Sequence, residues 1–453
     1  MPSRVLIISP HFPPVNAPDH QRVRMSLPYL GEFGWEGHVL TVSPEYVEAR
    51  QDPGLLHTVP PDTPITRVKA IPAGLARRVG CGSLGLRAFA PLHWAGSRLL
   101  REGHFDLVYF STTIFLAMAL GPVWKRRFGV PYVLDMQDPW ISDYYRRSGV
   151  RPPGGWLKYG FAQWLARRTE PRAVREAAHI LSVSPAYPVM LRSRYPDLAE
   201  DHFTVLPFGA SEQDMEVVRR LNLQQSVFDP ADGMIHWTYL GRGGADMAKA
   251  LRGLFLALKE LRQSHPQASR LRLHFVGTSY AAGSRAERTV EPLAREVGVA
   301  DLVSEQTERI PYLQGLALLQ ASDALLVVGS DDPAYSASKV YPCVLARRPV
   351  LGVLHEASLA GEVLRKCRAG EVVGFASVET PEQLAGRLQP VLGRLLDQPR
   401  GIPVEIDWAA FAPYTAREMT RQQCATFDLA ADTARTRRRG QRRLAAVSAE
   451  ERS

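Results

Sequence analysis

The sequence predicts an α/β chain of two doubly wound, Rossmann-like domains facing a cleft. Three observations predict it. Short β-prone runs alternate with helix-periodic segments through the first 210 residues. A second series of the same kind starts near Met234, after a polar stretch from Ala210 to Gly233. The chain has 453 residues, more than one core ordinarily organises. Alternation of this kind gives parallel sheets covered on both faces. It assigns 1–210 to an N-terminal domain, 211–233 to a linker and 234–405 to a second domain. A helix over 406–431 is expected to return to the first domain, and 432–453 to be a basic, disordered tail.

In order, the first series reads as strands at Arg4–Ser9, His38–Ser43, Asp106–Phe110, Tyr132–Asp135, Ile180–Ser184 and Phe203–Leu206. Helical patterns lie between them, such as Arg22 to Phe33 and Ile114 to Phe128. The Pro-, Gly- and Arg-rich region from Tyr46 to Leu100 gives no clear order. In the second series, Ile235–Leu240 is a strand and Gly241-Arg-Gly-Gly244 a turn. Ala248, Leu251, Leu254, Phe255, Leu258 and Leu261 then mark one face of a helix. Strands follow at Leu271–Val276, Ala324–Val328, Val350–Leu354 and Val372–Phe375, with a helix over Pro311–Gln320. Thr380-Pro-Glu-Gln383 has the N-cap, first-turn proline and third-position glutamine of a helix start. Phe411 to Phe427 reads as the returning helix.

Composition narrows the class. Hydrophobic residues are 45% and charged residues 22% of the chain, as in a soluble globular protein. Cys81, Cys343, Cys367 and Cys424 form no C-x-x-C pair, which argues against structural zinc and a disulfide framework and fits a reducing compartment. Arg4–Ser9 runs into Pro10-His-Phe-Pro-Pro14 and is too short for a signal-peptide core. Ile114 to Val123 is about half a membrane span. A cytoplasmic location is expected, with any membrane contact peripheral on the inner face.

The net charge of +9 is local. Residues 146–175 hold eight basic side chains and one acidic, and the stretch from Asp432 onward holds seven arginines against three acids. No nucleic-acid-binding motif accompanies these patches, so nucleic acid is not an expected partner. Between 146 and 175, Trp156, Leu157, Phe161, Trp164 and Leu165 recur near helical spacing among Lys158, Arg167 and Arg168. Two readings stand: an interfacial helix on an anionic membrane surface, or an ordinary helix with its apolar stripe on the core.

Two domains of this class place ligands at the carboxyl ends of their strands. No G-x-G-x-x-G follows the first strand, so a nicotinamide or flavin enzyme is not expected. Ser322 to Val353 reads strand, polar loop, short helix, strand, with Lys339 where loop becomes helix. A helix start exposes unpaired N–H groups and suits an anion such as phosphate. Ser338 is placed to cap that helix.

Six segments together resemble the family 4 glycosyltransferases of the two-domain GT-B architecture. They are Ser9-Pro-His-Phe-Pro-Pro14 with Gln21-Arg22 and Phe33–Thr41; Phe128–Trp140, which contains Asp135-Met-Gln-Asp-Pro-Trp140; Ala178–Ser184; Val205-Leu-Pro-Phe-Gly209; Tyr239-Leu-Gly241; and Ser338-Lys339 with Pro349-Val350. The resemblance implies transfer of a sugar from a nucleotide-sugar donor to a glycan or lipid-linked acceptor, with retention of configuration, no metal and no cofactor. It implies donor contacts at Gly241, Arg242, Gly243, Tyr335, Ser338 and Lys339, and a role for Asp138 facing the reacting sugars. His20, Arg22 and Trp140 are candidate sugar or diphosphate contacts, with two alternatives open: His20 as part of a polar loop and Trp140 as a core residue. Asp331-Asp332 reads as a turn rather than a metal site.

Three positions depart from the family pattern. Val15-Asn-Ala-Pro-Asp-His20 replaces a glycine-rich loop, Gln137 an arginine, and Pro342 the glutamate that accepts from the donor ribose. They motivate a competing reading, a GT-B-shaped binding or scaffold protein. A nucleotide-sugar epimerase is a third.

Overall fold

The computed structural model describes residues 2–78, 80–142, 145–146, 151–152, 155–279, 286–332 and 339–450, with backbone alone at 434 and 437–450. The chain forms two compact units, Met1–Gly209 with Ala416–Ser453, and Ala210–Thr415.

The first unit is built on seven parallel strands: β1 (Ser3–Ile8), β2 (Trp35–Val42), β3 (Ile65–Val68), β4 (Leu107–Ser111), β5 (Tyr132–Met136), β6 (His179–Ser182) and β7 (Phe203–Val205). Their order is β3-β2-β1-β4-β5-β6-β7. The central strands are mostly apolar and, past Arg4 of β1, buried, as expected where helices cover both faces. On one face, Met419, Cys424 and Phe427 of the helix Ala416–Glu450 pack with Val5, Tyr109 and Trp35. Phe427 meets Trp35 and Tyr109 edge-on, at 5.3 and 4.9 Å between ring centres.

The second unit has six parallel strands: β8 (Ile235–Leu240), β9 (Leu271–Val276), β10 (Val303–Gln306), β11 (Ala324–Val328), β12 (Val350–His355) and β13 (Gly370–Phe375). Their order is β10-β9-β8-β11-β12-β13. The helix Ala248–Ser264 buries Leu254, Phe255 and Leu258 in one cluster with Leu384, Leu388 and Leu392 of the helix Pro381–Asp397. Each such side chain contributes about 1.5–3 kcal/mol. The helices come close because residue 253 is glycine: a Cβ there would lie 2.7 Å from Leu384 Cδ2. The predicted cap at Thr380 is present, with Gln383 closing a capping box.

Four expectations change. β3 and β10 escape sequence reading because both are four-residue edge strands with few apolar positions. The linker at 211–233 contains a helix, Glu212–Arg220, whose start is capped by Ser211. Its Met215, Val217 and Val218 join Leu313 and Leu316 in the second unit's core. The returning helix begins at Ala416, and Phe411 stays in the second unit's core. The basic segment from Asp432 continues as helical backbone to Glu450 where a disordered tail is expected, consistent with the helix propensity of its Arg, Gln, Ala and Leu residues.

Candidate functional site

Open parallel sheets bind ligands where the strand order reverses, at the carboxyl ends of the strands. In the first unit the reversal lies between β1 and β4. Asp19 sits there, buried, on the loop after β1. Its carboxylate accepts from His11 Nδ1 at 2.9 Å, Thr112 Oγ1 at 2.9 Å and the Thr113 N–H at 3.0 Å. Burial alone would raise its pKa. The hydrogen bond and charge of His11, then the two threonines, overcome this and hold it at about 2. A fixed negative charge thus bridges the loops that follow β1 and β4. Sequence reasoning passed over His11 and the threonines: His11 lies in the quoted Pro-His-Phe-Pro segment, but nothing local marks its partner.

Arg22 is fully buried. Its Nε donates to Asp135 Oδ2 at 2.9 Å, and its other nitrogens donate to the Leu206 and Pro207 carbonyls. The guanidinium also lies 5.0 Å from the centre of the Phe208 ring. Arg22 therefore ties β5 to the Val205–Gly209 segment and is not presented to a ligand. Gln137, at the position of the family's arginine, places Nε2 within 3.0 Å of Asp135 Oδ2, Ser111 Oγ and the Asp19 carbonyl. An uncharged amide serves there because Arg22 already neutralises Asp135.

His20 is also buried. Its Nε2–H donates to the Val15 carbonyl at 2.8 Å. Burial, then the charge of Arg24, lowers its pKa to about 4, so the ring is neutral and shapes the glycine-free loop. Trp140 stacks on Phe115 in the core, 5.7 Å between ring centres and 15° between planes. His20 and Trp140 thus take the alternatives the sequence leaves open, a loop position and a core position, and neither is presented to a ligand. Asp138 differs from both in that its side chain is exposed past the end of β5. Surrounding protein and then the Asp19 carboxylate raise its pKa. Tyr187 stands within reach of the Asp138 charge, and its own pKa is raised, first by burial and then by that charge.

In the second unit the reversal lies between β8 and β11. The Gly241–Gly244 turn follows β8. The Gly241 and Gly243 N–H groups donate to the Val276 and Thr278 carbonyls at 3.0 and 2.7 Å, and the Tyr239 hydroxyl to the Arg242 carbonyl at 2.7 Å. Gly243 is required by close approach, since a Cβ would lie 2.4 Å from Thr289 Oγ1. The Arg242 fork is engaged by Asp246, at 2.9 and 2.7 Å, which holds that carboxyl at about 2. The Asp246 carbonyl accepts from the Asp331 N–H at 2.8 Å, which joins the loop after β8 to the loop after β11.

Lys339 is exposed and occupies the N-cap of the six-residue helix Val340–Leu345. Ser338 and Tyr335 lie outside the described residues. Pro342 is the third residue of that helix, where its missing N–H would have no partner in the helix. The surrounding protein, then the Arg309 guanidinium, lowers the Lys339 pKa. Arg309 follows β10, and its Cγ packs over Gly277, 3.5 Å from where a Cβ would stand. It belongs to no motif, and its charge acts on Lys339 although β9 and β8 lie between β10 and β11. Among the described residues, no group of three or more His, Cys, Asp or Glu is placed to hold a metal ion.

Residues 20–209 match the family model of the glycosyl transferase 4-like domain. Solved structures similar to the whole chain include a glycosyltransferase from Rickettsia africae, 11% identical, with a TM-score of 0.55 over 95% of this chain and 98% of that one. A UDP-forming α,α-trehalose-phosphate synthase from Burkholderia vietnamiensis is 13% identical, with a TM-score of 0.52 over 95% of this chain and 100% of that one. The N-terminal domain of trehalose-6-phosphate phosphatase from Candida albicans is 12% identical, with a TM-score of 0.52 over 96% of each chain. No curated protein matches the chain. The fold is that of the GT-B glycosyltransferases, and the family 4 resemblance read from the sequence is borne out.

Proposed function

We propose that the protein is a family 4-type glycosyltransferase that moves a sugar from a nucleotide-sugar to a glycan or lipid-linked acceptor, with retention and without a metal, in the cytoplasmic synthesis of cell-surface glycans. The observation that carries this reading is the placement of three cations at the strand ends of the second unit. Arg242 follows β8, Arg309 follows β10, and Lys339 opens the helix after β11. Burial and then the Arg309 charge lower the Lys339 pKa, and an anion bound there would favour the charged lysine.

A leaving diphosphate develops negative charge as the glycosidic bond breaks. Preorganised cations stabilise it most when they are already in place. In this reading Arg309 and Lys339 hold the phosphates. Arg242, oriented by Asp246, reaches them through the edge of its fork. Gly241 and Gly243 let the donor approach the backbone. Asp138 faces the reacting sugars, its pKa raised by the surrounding protein and then by the fixed charge of Asp19. With Pro342 in place of the family's glutamate, ribose recognition falls to backbone groups or other side chains.

Incubating the full chain with a panel of nucleotide-sugars and a glycolipid extract tests the proposal, with nucleoside diphosphate release as the readout. A uridine donor comes first, because the similar trehalose-phosphate synthase is UDP-forming. Release that depends on added extract supports transfer. Tight binding of a nucleoside diphosphate with no turnover of any donor would replace it with the scaffold reading, which the changed ribose position favours. Conversion of the donor sugar without acceptor would favour an epimerase.

A further inference from the structure

The helix Gly155–Glu176 of the first unit answers the question its sequence leaves open. Its buried residues are Ala166, Glu170, Ala173 and Val174, all in the second half. No residue from Gly155 to Leu165 is buried. The first half therefore does not lay an apolar stripe on the core. Instead it presents Trp156, Leu157, Phe161 and Trp164 outward, with 49, 93, 48 and 52% of their surfaces exposed. At 100° per residue these four fall within one 140° sector. Phe161 and Trp164 stack on each other, with 5.9 Å between ring centres. Four large apolar side chains on one exposed helix face mark an interaction surface rather than scattered surface residues.

The charge around this face identifies the partner. Arg146, Arg167 and Arg168, with Gly160, Gln163 and Trp164, line a groove of about 270 Å³ beside the aromatic face. The Arg168 guanidinium lies 5.2 Å from the centre of the Trp164 ring. The single acid between 146 and 175, Glu170, is buried and bound by Arg194 and Tyr195, so it does not offset the arginines at the surface. Aromatic side chains next to arginines that no described acid pairs with match a bilayer boundary, where rings sit at headgroup depth and cations meet lipid phosphates. No described helix is long and apolar enough to cross a membrane, so the contact is one of lying on the surface.

We propose that the first half of this helix docks the protein on an anionic lipid bilayer, with Trp156, Leu157, Phe161 and Trp164 inserted among the headgroups and Arg146, Arg167 and Arg168 on the lipid phosphates. The inference rests on this helix alone and stands whether or not the protein transfers sugar.

Flotation of the full-length protein with vesicles tests it. The vesicles are phosphatidylcholine alone, or phosphatidylcholine with about a third phosphatidylglycerol. The protein floats with the anionic vesicles, and rising salt releases it. R167E with R168E weakens binding by at least about 10- to 30-fold. W156S with F161S and W164S weakens it to a similar or greater degree and lowers sensitivity to brominated lipid. Circular dichroism and melting temperature matching wild type show that the variants remain folded. Unchanged binding in both variants, or equal binding to neutral vesicles, overturns the proposal. Sedimentation of the free protein as a dimer dispersed by the same substitutions also overturns it, because the face would then belong to a second copy. Free inorganic phosphate leaves flotation unchanged at concentrations that do not act through ionic strength; release by phosphate beyond that effect would assign the groove to a soluble anion.

Discussion

Arg22 and Asp135 form an ion pair in which both side chains are fully buried, with Nε 2.9 Å from Oδ2. It joins the helix after β1 to β5. Through the Leu206 and Pro207 carbonyls it also fixes the segment that ends the first unit's N-terminal portion. Three of the segments that carry the family resemblance, Gln21-Arg22, Asp135–Trp140 and Val205–Gly209, meet at this pair.

Removing one partner leaves the other charged and desolvated. Asp135→Ala should destabilise the first unit by about 3–5 kcal/mol. Ser111 and Gln137 lose a partner at the same time. Replacing both members, as in Arg22→Met with Asp135→Leu, should cost less than the sum of the single changes. Urea unfolding followed by amide exchange in β1 and β4 reads this out, and additive losses would refute the coupling.

Asp19 makes the first unit acid-sensitive. Its folded pKa of about 2 lies below the ordinary carboxylate value of 3.8. The stabilisation is therefore complete above about pH 4 and is lost as pH falls toward 2. It amounts to about 2 kcal/mol. Asp19→Asn should be less stable than wild type at pH 6, and the gap should close by pH 2. A gap independent of pH would show that the carboxylate charge is not what stabilises the loop.

His20 acts in a higher window. Its folded pKa of about 4 lies below the ordinary 6.5. The unfolded chain takes up a proton first as pH falls, so stability drops between about 6.5 and 4. His179 has the same shift, caused by burial and then by His202. Unfolding midpoints at pH 7 and pH 4.5 should differ accordingly, and midpoints that coincide would contradict the neutral, buried assignment of both rings.

Gly243 has no room for a side chain. Gly243→Ala drives a methyl onto Thr289 Oγ1 and Thr278 Cβ. The turn must shift, at about 1–3 kcal/mol. Both the stability of the second unit and nucleoside diphosphate affinity should fall. Pairing it with Thr289→Gly, which removes the nearest atom, should restore part of each. Absence of any rescue would mean that the loss does not come from this contact.

Asp138 should matter to turnover more than to binding. Asp138→Asn keeps size and removes charge. Donor turnover should fall by about 100-fold or more, the range seen when an acid–base or charge-stabilising group is removed. Nucleoside diphosphate affinity should stay within about twofold. Equal losses in both would make Asp138 a structural residue of the loop.

The fold is legible in the sequence where its strands are apolar and bounded by turn residues, as at Arg4–Ser9 or Leu271–Val276. It is not legible at β10, whose inward position Glu305 is a carboxylate that accepts from three consecutive backbone N–H groups, Thr289 to Glu291. Hydrophobic periodicity cannot find such a strand. The site is legible in part, for the related reason that motif spacing records loops rather than depth. His20, Arg22 and Trp140 stand in the right segments but point inward. His11 and the Thr112–Thr113 pair become visible only when the topology sets the ends of β1 and β4 side by side, and Arg309 only once the loop after β10 is in place. The helix at Gly155–Glu176 shows the converse. Its periodicity is helical whichever face is covered, and only the packing shows that the aromatic face is exposed.

The second unit is proposed to hold a diphosphate on cations that follow the carboxyl ends of β8, β10 and β11. Calorimetric titration of the full chain with a panel of nucleoside diphosphates tests it most directly, using wild type, Arg309→Ala and Lys339→Ala. At least one diphosphate should bind, and each substitution should weaken it by about 10- to 100-fold, the value of a charge-assisted hydrogen bond. No binding to any nucleotide, or unchanged affinity in both variants, would contradict the account.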